Sequence, residues 1–141
     1  MAQQSSGIQA VDSLSANEFK VEIEGAEAAG IFAVRGLTIR QMDGSGQVTL
    51  QPVVIVKMVQ QDPTLPFNRW TRETLANSSA KVTRELSVVA VDDGVEVRRW
   101  VIKDAWISSI ALSDFDTAQA DLIEERLTIH HGGIEERWPQ R

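Results

Sequence analysis

From Phe19 the chain alternates strictly, with Phe19, Val21 and Ile23 on one side and Lys20, Glu22 and Glu24 on the other. That period of two predicts a strand with one buried face. Gly25–Gly30 reads as a turn, and Ile31–Arg40 as a second strand in which Gly36 marks a bulge or a close backbone approach. Phe19–Arg40 is therefore expected to form a hairpin. A loop at Met42–Gln47 leads into a third strand, Val48–Val59, whose run Val53-Val-Ile-Val56 suits cover on both faces. Only Pro52 opposes regular pairing along its length.

The period then changes. Asp62-Pro-Thr-Leu-Pro66 stops the strand, and its prolines preset φ for a helix beginning near Leu65 or Pro66. Over Pro66–Ala76 the residues Phe67, Trp70 and Thr74 share a stripe with Leu75 beside it, so Phe67, Trp70 and Leu75 are the expected packing contacts. Alternation resumes at Val82, Leu86, Val88 and Ala90 and ends at Asp92-Asp-Gly94, a strong hairpin turn because Asp-Gly tolerates positive φ. The partner strand starts at Val95. Its apolar phase slips by one between Val97 and Trp100, which predicts either a bulge at Arg98–Arg99 or cover on both faces beyond it. A polar connection at Ser113–Gln119 precedes a last strand, Leu122–His131, which stops at Gly132-Gly133 and leaves Ile134–Arg141 as a tail. Residues 1–16, rich in Gln, Ser, Ala and Gly, read as a flexible arm before one domain at 17–141. The fold class is mainly β: a small antiparallel β-barrel or sandwich of about six or seven strands with one short flanking helix.

Composition narrows the function. At 141 residues the chain fits one domain that builds a core without staples, and it has no cysteine, hence no disulfide, thiolate metal site or thiol nucleophile. A formal charge of −6 opposes non-specific binding to nucleic acid, and no specific nucleic-acid recognition is expected. No basic segment followed by an apolar run opens the chain, and no run of about 18 apolar residues occurs, so synthesis in the cytoplasm without a signal peptide and no membrane span are expected.

Candidate chemistry dissolves on inspection. His130-His131 would point to opposite faces of a strand and cannot chelate together. Asp114-Phe-Asp116 opens like a calcium loop but lacks the glycine that such a loop needs at its turn. Gly44-Ser-Gly46 has no following lysine and precedes a strand, so it cradles no phosphate. Glu124-Glu125 alternates faces, Asp92-Asp93 sits in a turn, and no serine has a nucleophile-elbow pattern. No catalytic residue, metal site or cofactor is expected. Trp70, Trp100 and Trp106 sit at core spacing, with interface anchoring as the alternative because Arg69, Arg98 and Arg99 lie near them.

A set of phrases carries a resemblance. Phe19-Lys-Val-Glu-Ile-Glu-Gly25, then Ala29-Gly-Ile-Phe-Ala-Val-Arg-Gly-Leu37, the helix with Trp70, Val97-Arg-Arg-Trp-Val-Ile-Lys-Asp-Ala-Trp106 and Glu124-Glu-Arg-Leu-Thr-Ile-His-His-Gly-Gly-Ile134 stand in an order that resembles the tail tube proteins of contractile phages and phage-tail-like injection particles. At the level of fold it also resembles the ring-forming tube protein of type VI secretion. The resemblance implies a structural, non-enzymatic subunit, a homo-hexameric ring that stacks into a tube inside a sheath. Further partners implied are a tube initiator or baseplate, a terminator, and DNA or protein cargo in the lumen. It implies ring stacking through the loop Asp43, Gly44, Ser45, Gly46, Gln47, Val48 and Thr49, here short and without the lysines usual in the family, and lateral contact near Arg98, Arg99 and Trp100. The alternatives are a tube-initiator or baseplate adaptor ring of the same fold and, from another class, a small ligand-binding β-barrel.

Overall fold

The computed structural model describes residues 11–139. Ten strands and one helix follow in the order β1 Phe19–Ile23, β2 Ala26–Ala28, β3 Ile31–Arg35, β4 Gln41–Met42, β5 Val48–Thr49, β6 Val53–Met58, α1 Pro66–Ala76, β7 Arg84–Asp92, β8 Val95–Leu112, β9 Glu124–His130 and β10 Gly133–Arg137. The mainly antiparallel β class with a single helix is as expected. The strand count exceeds the expected six or seven because β2, β4 and β5 are too brief to show a period and β10, Gly133-Ile-Glu-Glu-Arg137, carries no apolar alternation.

The main sheet runs β2-β1-β7-β8-β9-β6-β3, with β10 also on β8, while β4 and β5 form a separate ribbon. Strand β8 organises it. Its first part pairs with β7 on one edge and with β10 on the other, and its last part pairs with β9. Asp104 interrupts β8 at φ 52, where the three steps from Ile102 to Ala105 oppose the two steps from Leu86 to Arg84. The extra residue bends the strand and turns one sheet into two facing halves, as corner strands do in sandwiches. β2 and β3 end the strand order and are not paired with each other among the described residues, so the form is a sandwich.

Both tight hairpins follow from their turn residues. Asp93 and Gly94 have φ 50 and 79, and Glu24 and Gly25 have φ 50 and 82, the paired positive φ of a turn whose twist matches the flanking strands. The expected Phe19–Arg40 hairpin is thus corrected. β1 folds back only on β2, Gly30 at φ 82 redirects the chain, and β3 crosses to pair with β6. Gly36 lies just past β3 at φ 73, where an added Cβ would stand 3.1 Å from the Pro52 carbonyl oxygen, so the close approach there is real.

Three further expectations shift. The strand expected over Val48–Val59 is broken between β5 and β6, where Pro52 has no N–H to donate. The bulge expected at Arg98–Arg99 falls one residue earlier, since Ala90 faces Arg98 while Val91 faces Glu96, leaving Val97 as the extra residue. The supposed tail Ile134–Arg141 includes β10, whose backbone pairs Gly133 to Lys103 and Arg137 to Arg99. Of the N-terminal arm, residues 1–10 lie outside the described residues, and Val11–Ala16 are exposed.

The core lies between the two halves: Val21, Ile23, Leu86 and Ile102 on one, Val53, Ile55, Leu127 and Ile129 on the other. Burying each such side chain contributes about 1.5–3 kcal/mol. Helix α1 lies against β2 and β8 and inserts Phe67 and Trp70, both nearly fully buried and stacked at 5.9 Å. The Trp70 indole N–H donates to the Val82 carbonyl at 2.8 Å, which satisfies its one polar atom. Leu75, expected beside them, is instead 74% exposed, and Thr71 takes the buried place. The contact surface follows the i, i+3, i+4 row through 67, 70 and 71, and Leu75 lies round the helix from its centre.

Candidate functional site

The Asp43–Thr49 loop stands apart from the sandwich as a small ribbon. Gln41 faces Thr49 and Met42 faces Val48, and every residue from Ile39 to Leu50 is exposed. Its turn is internally stiff. The Asp43 N–H donates to the Gln47 carbonyl at 2.9 Å, and Asp43 Oδ1 accepts from the Ser45 N–H, the Ser45 hydroxyl and the Gln47 N–H. The Ser45 hydroxyl first, and then the backbone donors, hold the Asp43 carboxyl below the usual range. A rigid tip therefore presents Met42, Val48 and Leu50, each nearly half exposed, to solvent.

Arg98, Arg99 and Trp100 lie where β8 is flanked by β7 and β10, and apart from the buried Arg98 Nε, which has no partner among the described residues, their side-chain polar groups are turned to partners within the chain. Arg99 donates to both oxygens of Glu96 and, at 2.7 Å, to Glu22 on β1, which ties β8 to β1 across β7. These bonds, those to Glu96 first, raise the Arg99 pKa further, and the Arg99 bonds lower that of Glu96. Arg98 pairs with Glu136 of β10 and lies 3.8 Å from the Trp138 ring centroid and 5.2 Å from that of Trp100. The Trp100 indole N–H donates to Glu136 at 2.9 Å and, with Arg98 next, depresses the Glu136 carboxyl. The cluster clamps β10 to β8. Only Trp138, 66% exposed, offers a large free aromatic surface there.

The paired histidines serve the fold. His131 Nε2 lies 2.8 Å from the Gln51 carbonyl while its Nδ1 accepts from the Gly133 N–H, so the ring bridges β10 to the segment before β6. His130 stacks on Trp106 at 5.1 Å, and Lys81 Nζ lies 4.4 Å from the Trp106 ring centroid. Among the described residues no group of three or more His, Asp or Glu is placed to hold a metal, and no helix is long and apolar enough to cross a membrane.

Two surfaces escaped sequence reasoning. A groove of about 510 Å³ opens between the sheet halves, lined by Leu14, Phe19, Phe32, Leu37, Val88 and Trp100, with Arg35 at its side. Phe32 reaches it as the extra residue of a bulge in β3, which a strand pattern alone does not reveal. The second surface is the connection from Ser113 to Ile123, where Phe115 is 77% and Leu122 66% exposed. An isolated Phe in a polar loop was the available signal.

Comparison with known structures agrees with this architecture. The chain is similar to a component of the sheath-tube complex of an extracellular contractile injection system, PVC, at 15% identity and TM-score 0.73, covering 98% of this chain and 100% of that one. It is similar to a chain of the anti-feeding prophage tube-terminating cap at 15% identity and TM-score 0.74, with 99% and 100% covered. Hcp1 from Flavobacterium johnsoniae follows at 12% identity and TM-score 0.57, with 86% and 96% covered. At these identities the likeness establishes the fold. No curated protein matches by sequence. The family model for the T4-like virus tail tube protein gp19, however, matches residues 15–135, nearly the whole sandwich from the groove-lining Ser15 to Glu135 of β10, and the chain belongs to that family.

Proposed function

We propose that this chain is the repeating subunit of the inner tube of a contractile tail or injection particle. It assembles as hexameric rings that stack into a conduit for DNA or protein cargo. Sheath, baseplate initiator and terminator are its other partners. The observation that carries the reading is the Asp43–Thr49 ribbon: a stiff turn that holds Met42 and Val48 side by side in solvent, off the main sheet. A monomer gains nothing from exposing that pair, whereas a stacked ring buries it. Edges on β3 and on β8 beyond Ala105 that have no partner among the described residues support lateral assembly, because uncovered sheet edges template association. A net charge of −6 suits a lumen that does not hold negatively charged cargo.

A second reading, a tube-initiator or baseplate adaptor ring of the same fold, is favoured by the brevity of the ribbon and its lack of lysine. Copy number per particle separates the two, one ring's worth against many. Negative-stain microscopy of purified protein tests the principal reading. Rings or tubes of uniform width are expected, and the double substitution Met42→Asp, Val48→Asp should leave single rings while abolishing tubes. A strict monomer at high concentration overturns the proposal.

A further inference from the structure

The groove and the Phe115 loop are complementary in charge, and both are apolar at their centres. The groove is apolar along Leu14, Phe19, Phe32, Leu37 and Trp100 and carries one charged side chain, Arg35, which makes no ion pair among the described residues. The loop projects Phe115 and Leu122, flanked by Asp114, Asp116 and Asp121, and contains no lysine or arginine between Ser113 and Ile123. Other exposed apolar segments fit the groove less well. The β4–β5 ribbon follows directly on Arg40, and Trp138 follows on Arg137, so each would bring a cation toward Arg35.

Within one molecule the two surfaces do not meet: no residue from Ser113 to Ile123 lines the groove, and Phe115 is 77% exposed. We propose that the Phe115 loop of one copy seats in the groove of the next copy, with Asp114 or Asp116 against Arg35. This contact rests on the self-assembly argued above and supplies it with a specific lateral or stacking joint. It is heterologous, with different patches on the two partners, which is the kind of interface that closes into rings or propagates into tubes. An aromatic side chain entering an apolar pocket under a charged rim is also the usual make-up of a dominant interface residue.

The test uses the full chain with a photoreactive phenylalanine analogue at position 115, which is exposed and so tolerates the change. Isotope-labelled and unlabelled copies are mixed, irradiated and mapped by mass spectrometry. Links from position 115 to segments 14–19, 32–37, 88 or 100 of a differently labelled copy are expected. Rings or tubes whose links from position 115 fall elsewhere, on the 41–49 ribbon, on residues 1–10 or on β10, overturn this contact and leave the tube reading standing. A monomer with no intermolecular link overturns both. As an independent measurement, Arg35→Glu should weaken self-association about tenfold, and Asp114→Arg or Asp116→Arg in the same chain should restore it. An unchanged association for Arg35→Glu counts against the proposal.

Discussion

Lys57 has no exposed surface, although its side chain ends in an amino group, and it lies one pair from the Met58 end of the β6–β9 pairing. Its ammonium donates to Glu125 at 2.8 Å and to the Met58 carbonyl at 2.9 Å, and Glu125 is its cross-strand partner. Desolvating two charges is costly, so the pair itself adds little net stability, but removing one member strands the other. Lys57→Met alone should therefore destabilise the fold by about 3–5 kcal/mol, while Lys57→Met with Glu125→Leu should lie within about 1 kcal/mol of the parent, as read from urea titrations. The single variant stable as the parent would mean that water reaches Glu125 freely. The pair also fixes register: a slip of one residue would face Lys57 with Glu124 or Arg126 instead, and turn every apolar side chain of β6 to the wrong side.

At the scale of elements, the corner in β8 depends on Asp104. An L-residue at φ 52 is strained, and aspartate is among those that tolerate it best. Asp104→Gly should leave the melting temperature unchanged or raise it by the equivalent of up to about 1 kcal/mol, whereas Asp104→Val should lose about 1–3 kcal/mol. Equal effects from both would place the bend's cause elsewhere. This corner was not legible in the sequence, where Asp104 is one polar residue among alternating ones, and neither was the continuation of β8 through Ser108 and Ser109 to Leu112. What was legible had a local cause. Pro66 set the start of α1, Asp93-Gly94 set the β7–β8 turn, and alternation set β1. The misses depended on partners far along the chain. β10 reads as a charged tail because Glu135, Glu136 and Arg137 hide a strand held by backbone pairing to β8. The arginines of the Arg98–Trp100 region look free until Glu22 and Glu136 arrive from 77 and 38 residues away. Asp, Gly and Ser marked the Asp43–Thr49 loop, but its stiffness comes from hydrogen bonds that composition does not reveal.

For the whole molecule, the sum of uncovered features is large for a chain that stays single. Phe115, Trp138, Leu122 and the ribbon residues Met42, Val48 and Leu50 are all exposed, the groove is open, and edges of β3 and β8 lack partners among the described residues. If copies of the chain cover these surfaces only in the folded state, association stabilises the fold by mass action, and each tenfold rise in free partner adds up to about 1.4 kcal/mol per bound contact. For a domain of this size that is a rise of roughly 3–5 °C in melting temperature per tenfold in concentration. Scanning calorimetry over a hundredfold concentration range should show the rise in the parent chain and a smaller one in Met42→Asp, Val48→Asp, which keeps its lateral contacts but cannot stack. A melting temperature independent of concentration would mean that the exposed apolar surface is carried by a stable monomer, and that the ribbon, the groove and the open edges await a different protein in the particle rather than a second copy.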